Sequence, residues 1–126
     1  MILADTNIFL EILLDQEAKE ICKQFLSDNI EEIVISDFSL HSIGLILFRE
    51  GKHDKFNQFL EDVLPMIPML TLPKEYYLKL KDDSIENKLD FDDTYQFCIA
   101  KENGCEIATM DKDFKKVSHL IKVHFI

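Results

Sequence analysis

Residues 90–114 read DFDDTYQFCIAKENGCEIATMDKDF, and this stretch decides the fold class. Its first half carries apolar residues at helical spacing and ends at Gly104, a typical C-terminal cap. Residues 106–109 then form a short apolar run that fits a buried strand, and Asp111 follows it closely. A helix that leads directly into a short strand, with carboxylates at both outer ends, predicts an α/β unit.

The same alternation extends towards both ends of the chain. Short runs rich in β-branched and apolar residues predict four further strands, at Met1–Ala4, Ile33–Ile35, Met69–Leu72 and Ile121–Phe125. Helical stripes fill the segments between them. Strands that alternate with helices in this way predict an α/β fold, a three-layer α/β/α domain with a central, mostly parallel sheet of four or five strands.

Two helices carry specific expectations. The helix predicted at residues 38–48 is apolar almost all round, and we expect it to be buried on several sides. Another helix is predicted at residues 74–82, directly after Pro73. Since the chain has 126 residues with only 3 Gly and 3 Pro, we expect one domain, residues 1–126, with short connections.

The charge balance limits the partners that the chain can bind. Fourteen basic residues against 24 acidic ones give a net charge of −10, so a basic nucleic-acid footprint is missing. An acidic chain can still act on nucleic acid if metal ions take up the phosphates or if a partner supplies positive charge. Three cysteines without a CxxC pair predict reduced thiols and a cytoplasmic location, and no apolar run is long enough for a membrane span.

Carboxylates stand where the predicted sheet places functional groups. Asp5 and Asp111 each follow a strand, while Asp90, Asp92 and Asp93 open the helix of the deciding stretch. A parallel sheet brings strand ends to one edge, and carboxylates gathered there repel one another. A divalent cation removes that repulsion, and Mg²⁺ or Mn²⁺ suits a site made of oxygen ligands.

The same acids also have a purely structural interpretation. Asp is common at strand ends and helix N-caps because its side chain accepts backbone hydrogen bonds. Phosphate-binding glycine loops and the serine nucleophile elbow are missing from the sequence, so no other motif identifies a chemistry. A metal centre and a set of helix caps therefore both remain open at this point.

Three motifs, taken in order, resemble those of the PIN domain, the fold of VapC-type toxin ribonucleases. They are Asp5-Thr6-Asn7, Asp92-Asp93-Thr94 and the run from Thr109 through Asp111 to Phe114. The resemblance covers nearly the whole chain in length and element order. It implies a metal-dependent endoribonuclease that cleaves single-stranded RNA and acts as the toxin of a toxin–antitoxin pair.

The resemblance also implies roles for individual residues. By position, Asp5, Asp93 and Asp111 correspond to three of the family's four catalytic acids, which hold Mg²⁺ or Mn²⁺. The supporting residues that it implies are Asp92 as an accessory carboxylate, Thr6 and Thr109 as hydroxyls near the metal, and Asn7 as a brace for the loop after the first strand.

Ser42 departs from the family's pattern, because the family places its remaining acid, a Glu, at the corresponding position of the helix after the second strand. The next acid on that helix, Glu50, lies too far along it, which leaves Asp37 as a stand-in. The departure favours an alternative function, a catalytically impaired module that binds a protein partner or metal without cutting RNA.

The expected partners follow from the resemblance and from the charge. We expect RNA to bind weakly and through the metal, and a basic antitoxin-like protein to supply the missing positive charge. The resemblance implies a homodimer.

Overall fold

The computed structural model describes all residues from 1 to 126. The strands are β1 (Ile2–Ala4), β2 (Ile33–Ser36), β3 (Met69–Leu70), β4 (Glu106–Thr109) and β5 (Val123–Phe125). The α-helices are α1 (Thr6–Leu13), α2 (Lys19–Asp28), α3 (Asp37–Arg49), α4 (His53–Asp62), α5 (Leu80–Asn87) and α6 (Phe91–Asn103). Short 3₁₀ helices lie at Leu64–Met66, Lys74–Lys79 and Lys112–Val117. None of the helices has the length and apolar composition needed to cross a membrane.

The five strands form one sheet in the order β3-β2-β1-β4-β5, and every neighbouring pair is parallel. The chain first builds from β1 outwards to β3 and then returns to add β4 and β5 on the other side. Strand order therefore reverses between β1 and β4. In open parallel sheets, the crevice beyond the carboxyl ends of the strands at such a reversal is the preferred place for a ligand.

Apolar cores cover both faces of the sheet, which confirms the predicted three layers. Leu3 points into one core together with Phe97 and Ile107, beside α5 and α6. Its neighbours Ile2 and Ala4 point into the other core, which α1 to α4 complete. The alternation follows from the pleat of the strand, because successive side chains leave opposite faces.

Helix α3 is less buried than its composition predicts. Leu45 and Phe48 are 53% and 51% exposed, so the expectation of burial on several sides is wrong. One face of α3 packs through Ile43 and Leu47 into the core, while the outward face packs only partly against α4. Gly44 allows this contact, since a Cβ at that position would lie 3.0 Å from the ring of Phe56.

The boundaries of three other elements differ from the predictions. The helix expected at residues 74–82 is a 3₁₀ segment that ends at Lys79 and continues as α5 to Asn87. Strand β3 ends at Leu70 rather than at Leu72. The backbone N–H of Leu72 donates a hydrogen bond to the hydroxyl of Tyr95 at 3.4 Å instead of pairing in the sheet. Strand β5 begins at Val123 rather than at Ile121.

Candidate metal centre

Asp5 follows β1 directly and caps the N-terminus of α1. Its Oδ1 accepts hydrogen bonds from the Thr6 N–H at 2.9 Å and from the Gln96 amide at 3.3 Å. Its Oδ2 accepts one from the Thr109 hydroxyl at 2.8 Å. Burial to 8% exposure raises the pKa of Asp5, these three hydrogen bonds oppose that rise, and the charge of Asp111 adds to it. Both oxygens of Asp5 are thus held in fixed directions.

Asp93 lies in the first turn of α6, and its side chain is only 8% exposed. Asp90 caps this helix by accepting the Asp93 N–H at 3.0 Å. Burial, together with the charges of Asp111, Asp90 and Asp5, raises the pKa of the Asp93 carboxyl to about 8. Ionised Asp93 is therefore unfavourable near neutral pH unless a positive charge joins it.

Asp111 and Asp113 follow β4 and complete the group. The Asp111 N–H donates to the Thr109 hydroxyl oxygen at 2.9 Å, and Asp111 Oδ1 accepts the Asp113 N–H at 2.9 Å. One carboxylate oxygen from each of Asp93, Asp111 and Asp113 lies within 4.8 Å of the others. Asp5 lies outside this group of three and is joined to it through Thr109, whose hydroxyl contacts both Asp5 Oδ2 and the Asp111 N–H. We call Asp5, Asp93, Asp111 and Asp113 the acidic centre.

The structure shows which of these acids act as helix caps. Asp5, Asp90 and Asp111 do cap the segments that follow them. Asp93 caps nothing, and no N–H group or hydroxyl donates to its buried carboxylate. Capping therefore explains three of the acids but not the burial of Asp93.

No basic side chain balances the charge at the middle of the acidic centre. Asp5, Asp93 and Asp111 form no ion pair, and only Asp113 at the rim contacts a lysine, Lys116, at 3.7 Å. Hard carboxylate oxygens at this spacing are the ligand type that Mg²⁺ and Mn²⁺ prefer. The residues present thus fit a divalent cation.

A chain of neutral polar side chains lies behind Asp5. The hydroxyls of Thr6 and Ser39 are 2.8 Å apart, and the Gln96 amide nitrogen donates to Ser39 Oγ at 2.7 Å. Ser39 and Gln96 are fully buried. The other amide atom of Gln96, Oε1, is buried without a hydrogen-bond partner. This network joins α1, α3 and α6 at the acidic centre.

Four of the residues that the sequence singled out lie apart from this network. Ser42 is half-buried on α3 and forms no side-chain hydrogen bond, and Asp92 is exposed. Asn7 is exposed within α1 and braces no loop, because helix α1 begins directly after Asp5. Asp37 Oδ1 accepts hydrogen bonds from the Phe38 N–H and the Tyr95 hydroxyl, so this oxygen is already engaged outside the acidic centre.

Sequence reasoning missed Asp113, Ser39 and Gln96. Asp113 stood in the quoted motif two positions after Asp111, and a turn at the strand end brings such a residue back to the site. Gln96 gave a signal as a lone amide in the apolar run from Tyr95 to Ala100. Ser39 gave no signal, since its role depends on contacts with two distant helices.

Comparison with solved structures finds the same fold in several other proteins. FitAcB from Neisseria gonorrhoeae is 20% identical, with 98% of this chain and 96% of that chain covered and a TM-score of 0.77. A toxin–antitoxin complex from Klebsiella pneumoniae is 17% identical over 100% of both chains, also with a TM-score of 0.77.

A third similar structure is that of VapC20 from Mycobacterium tuberculosis, a toxin that cleaves the sarcin–ricin loop. It is 15% identical, with 91% of this chain and 93% of that chain covered and a TM-score of 0.77. Comparison with curated protein sequences finds no match. The model of the PIN domain matches residues 2–120, nearly the full length, and the chain belongs to the PIN domain family.

Proposed function

We propose that this protein is a metal-dependent endoribonuclease that cleaves single-stranded RNA and serves as the toxin of a toxin–antitoxin pair. The observation that carries the proposal is buried Asp93, whose pKa rises to about 8 beside Asp111 with no basic partner. A cluster that is this unfavourable without a cation is expected where a cation is needed for function. Membership of the PIN family and the toxin structures of the same fold support the proposal.

Each acid has a distinct place in the proposed mechanism. Asp93 and Asp111, with Asp5 behind them and Asp113 at the rim, would hold Mg²⁺ or Mn²⁺. A divalent cation held there would lower the pKa of water for attack on phosphorus and would neutralise the phosphate charge. Thr109 aligns the group, because its hydroxyl donates to Asp5 and accepts the backbone N–H of Asp111.

The charge of the whole chain bears on its partners. With a net charge of −10, RNA is repelled except where the cation attracts its phosphates, so we expect weak binding that depends on the metal. A basic antitoxin-like protein would complement the acidic surface. Solved complexes of the same fold include a toxin–antitoxin complex and VapBC2 from Rickettsia felis bound to promoter DNA. We propose the same kind of partner here, together with a homodimer.

Cleavage of a short unstructured RNA in Mn²⁺, Mg²⁺ or EDTA tests the activity. We expect cleavage with either metal, none in EDTA and none with Asp93→Asn, a nearly isosteric change that removes the charge. Asp82→Asn makes the same change at an exposed position on α5 and should leave cleavage intact. Cleavage that persists in EDTA and with Asp93→Asn would come from a different mechanism or a contaminant.

A second candidate is a PIN-fold module that binds a partner or metal without cutting RNA. The position of the family's remaining acid favours it, since Ser42 supplies no carboxylate and forms no hydrogen bond to the acidic centre. This candidate predicts that Mn²⁺ binds to the wild type while no RNA is cleaved.

A further inference from the structure

Gln96 is the most unusual buried residue beside the acidic centre. It lies one helical turn after Asp93 on α6, so both side chains share a face of that helix. The side chain is 1% exposed, and its Nε2 donates to Ser39 Oγ at 2.7 Å and to Asp5 Oδ1 at 3.3 Å. Gln96 therefore connects α3 to the carboxylate at the end of β1.

Only the nitrogen of the Gln96 amide has hydrogen-bond partners. Its Oε1 is buried and has no hydrogen-bond partner, although buried carbonyl oxygens are almost always paired. A buried polar atom left without a partner destabilises a fold, and this cost offsets part of the stabilisation from the two hydrogen bonds of Nε2. Methionine has nearly the shape of glutamine but replaces neither hydrogen bond. The reason for an amide at this position therefore lies in the contacts of its nitrogen.

The contacts of Asp5 show what the amide does. Thr109 on β4 holds Asp5 Oδ2, while Gln96 on α6 and the Thr6 N–H hold Oδ1. Ser39 in turn fixes Gln96 and contacts the Thr6 hydroxyl at 2.8 Å. Asp5 is the one acid of the centre that α6 reaches through a hydrogen bond, and Gln96 makes that bond.

We propose that Gln96 is a positioning residue of the metal centre, which holds the Asp5 carboxylate through Nε2 and is itself held by Ser39. The inference rests on the proposed function, since it needs the cation. The amide fixes the direction of Asp5 Oδ1 without adding charge to the acidic centre. Groups that orient metal ligands in this way typically contribute about 10- to 100-fold to metal affinity.

Calorimetric titration of Mn²⁺ into the wild type and Gln96→Met tests the role. We expect Gln96→Met to bind Mn²⁺ at least about tenfold more weakly. In EDTA its melting temperature should stay close to that of the wild type, because the loss of the Nε2 hydrogen bonds and the removal of the unpartnered Oε1 oppose each other. Tyr95→Phe is the matched control, since Tyr95 is buried on the same helix but bonds to Asp37 and Leu72 instead. A loss of affinity under tenfold, or one that Tyr95→Phe equals, overturns the inference.

Gln96→Leu gives an independent test if Gln96→Met does not fold. It removes both Nε2 hydrogen bonds without adding charge, so we again expect Mn²⁺ binding at least about tenfold weaker than in the wild type. Unchanged Mn²⁺ binding in Gln96→Leu overturns the inference. If the wild type binds no Mn²⁺, the proposed function fails and this inference fails with it, whereas unchanged binding in Gln96→Met overturns the inference alone.

Discussion

Asp93 carries much of the electrostatic cost of the acidic centre. It is buried, receives no hydrogen bond from an N–H group or hydroxyl, and faces the charges of Asp111, Asp90 and Asp5. Asp5 is equally buried, but three hydrogen bonds from its neighbours oppose the rise in its pKa. The two acids thus differ in their surroundings, since hydrogen bonds hold Asp5 in place, whereas the charge on Asp93 is unfavourable without a positive partner.

The raised pKa of Asp93 predicts a pH dependence of stability without metal. Folding raises this pKa from about 3.9, the value in an unfolded chain, to about 8. Because the folded state binds the proton more tightly, the stabilisation is complete below the unfolded value and disappears as the pH rises through the folded value. In EDTA, the melting temperature of the wild type should therefore fall relative to that of Asp93→Asn between about pH 4 and pH 8. Melting curves that stay parallel over this range would contradict the assignment.

At the scale of elements, the start of α6 sets the geometry of the acidic centre. Asp90 caps the helix through the N–H of Asp93, and the cap fixes the turn from which Asp93 points to the sheet edge. The strand end before Asp111 gives the other half, since Thr109 holds both the Asp111 backbone and Asp5. Two local motifs, one at a helix start and one at a strand end, thus build most of the site.

Removing the cap should weaken the whole protein. We expect Asp90→Ala to lower the free energy of unfolding by about 1 kcal/mol, the usual contribution of an Asp N-cap. Urea denaturation measures this change. Asp82→Ala is the control, because Asp82 is an exposed aspartate on α5 that caps no helix. An equal, small effect of both variants would show that the cap does not stabilise α6.

Local patterns were enough to predict the elements around β1, β4 and α6. The strand that ends before Asp111 and the cap at Gly104 were both visible in one stretch of sequence. The exposed face of α3 was not predictable, because composition cannot show that Leu45 and Phe48 stay half exposed even though Phe48 packs against His53 and Phe56 of α4. The contribution of Gln96 and Ser39 to the site could not be predicted either, because their hydrogen-bond partners lie at distant positions in the chain.

At the scale of the whole molecule, the protein combines a large negative charge with an exposed apolar surface. The chain carries a net charge of −10, yet Leu45, Phe48 and Met69 leave an apolar groove of about 520 Å³ open beside α3. Single exposed apolar residues are ordinary, whereas a contiguous apolar groove often marks an interaction surface. An acidic molecule with such a surface is consistent with association in solution.

The expected homodimer can be tested by light scattering. We predict a mass of about twice 14.8 kDa that persists in high salt, because an apolar interface is not screened by ions. A mass of 14.8 kDa at high protein concentration would show a monomer. A dimer that dissociates in high salt would instead indicate an interface made by charges.

The central claim is that the acidic centre binds a divalent cation through Asp93. Calorimetric titration of Mn²⁺ into the wild type, Asp93→Asn and the exposed control Asp82→Asn tests it most directly. We predict binding to the wild type and to Asp82→Asn, and none to Asp93→Asn, because the buried carboxylate that most needs a positive charge is then neutral. Equal binding to all three proteins, or none to the wild type, would contradict the claim.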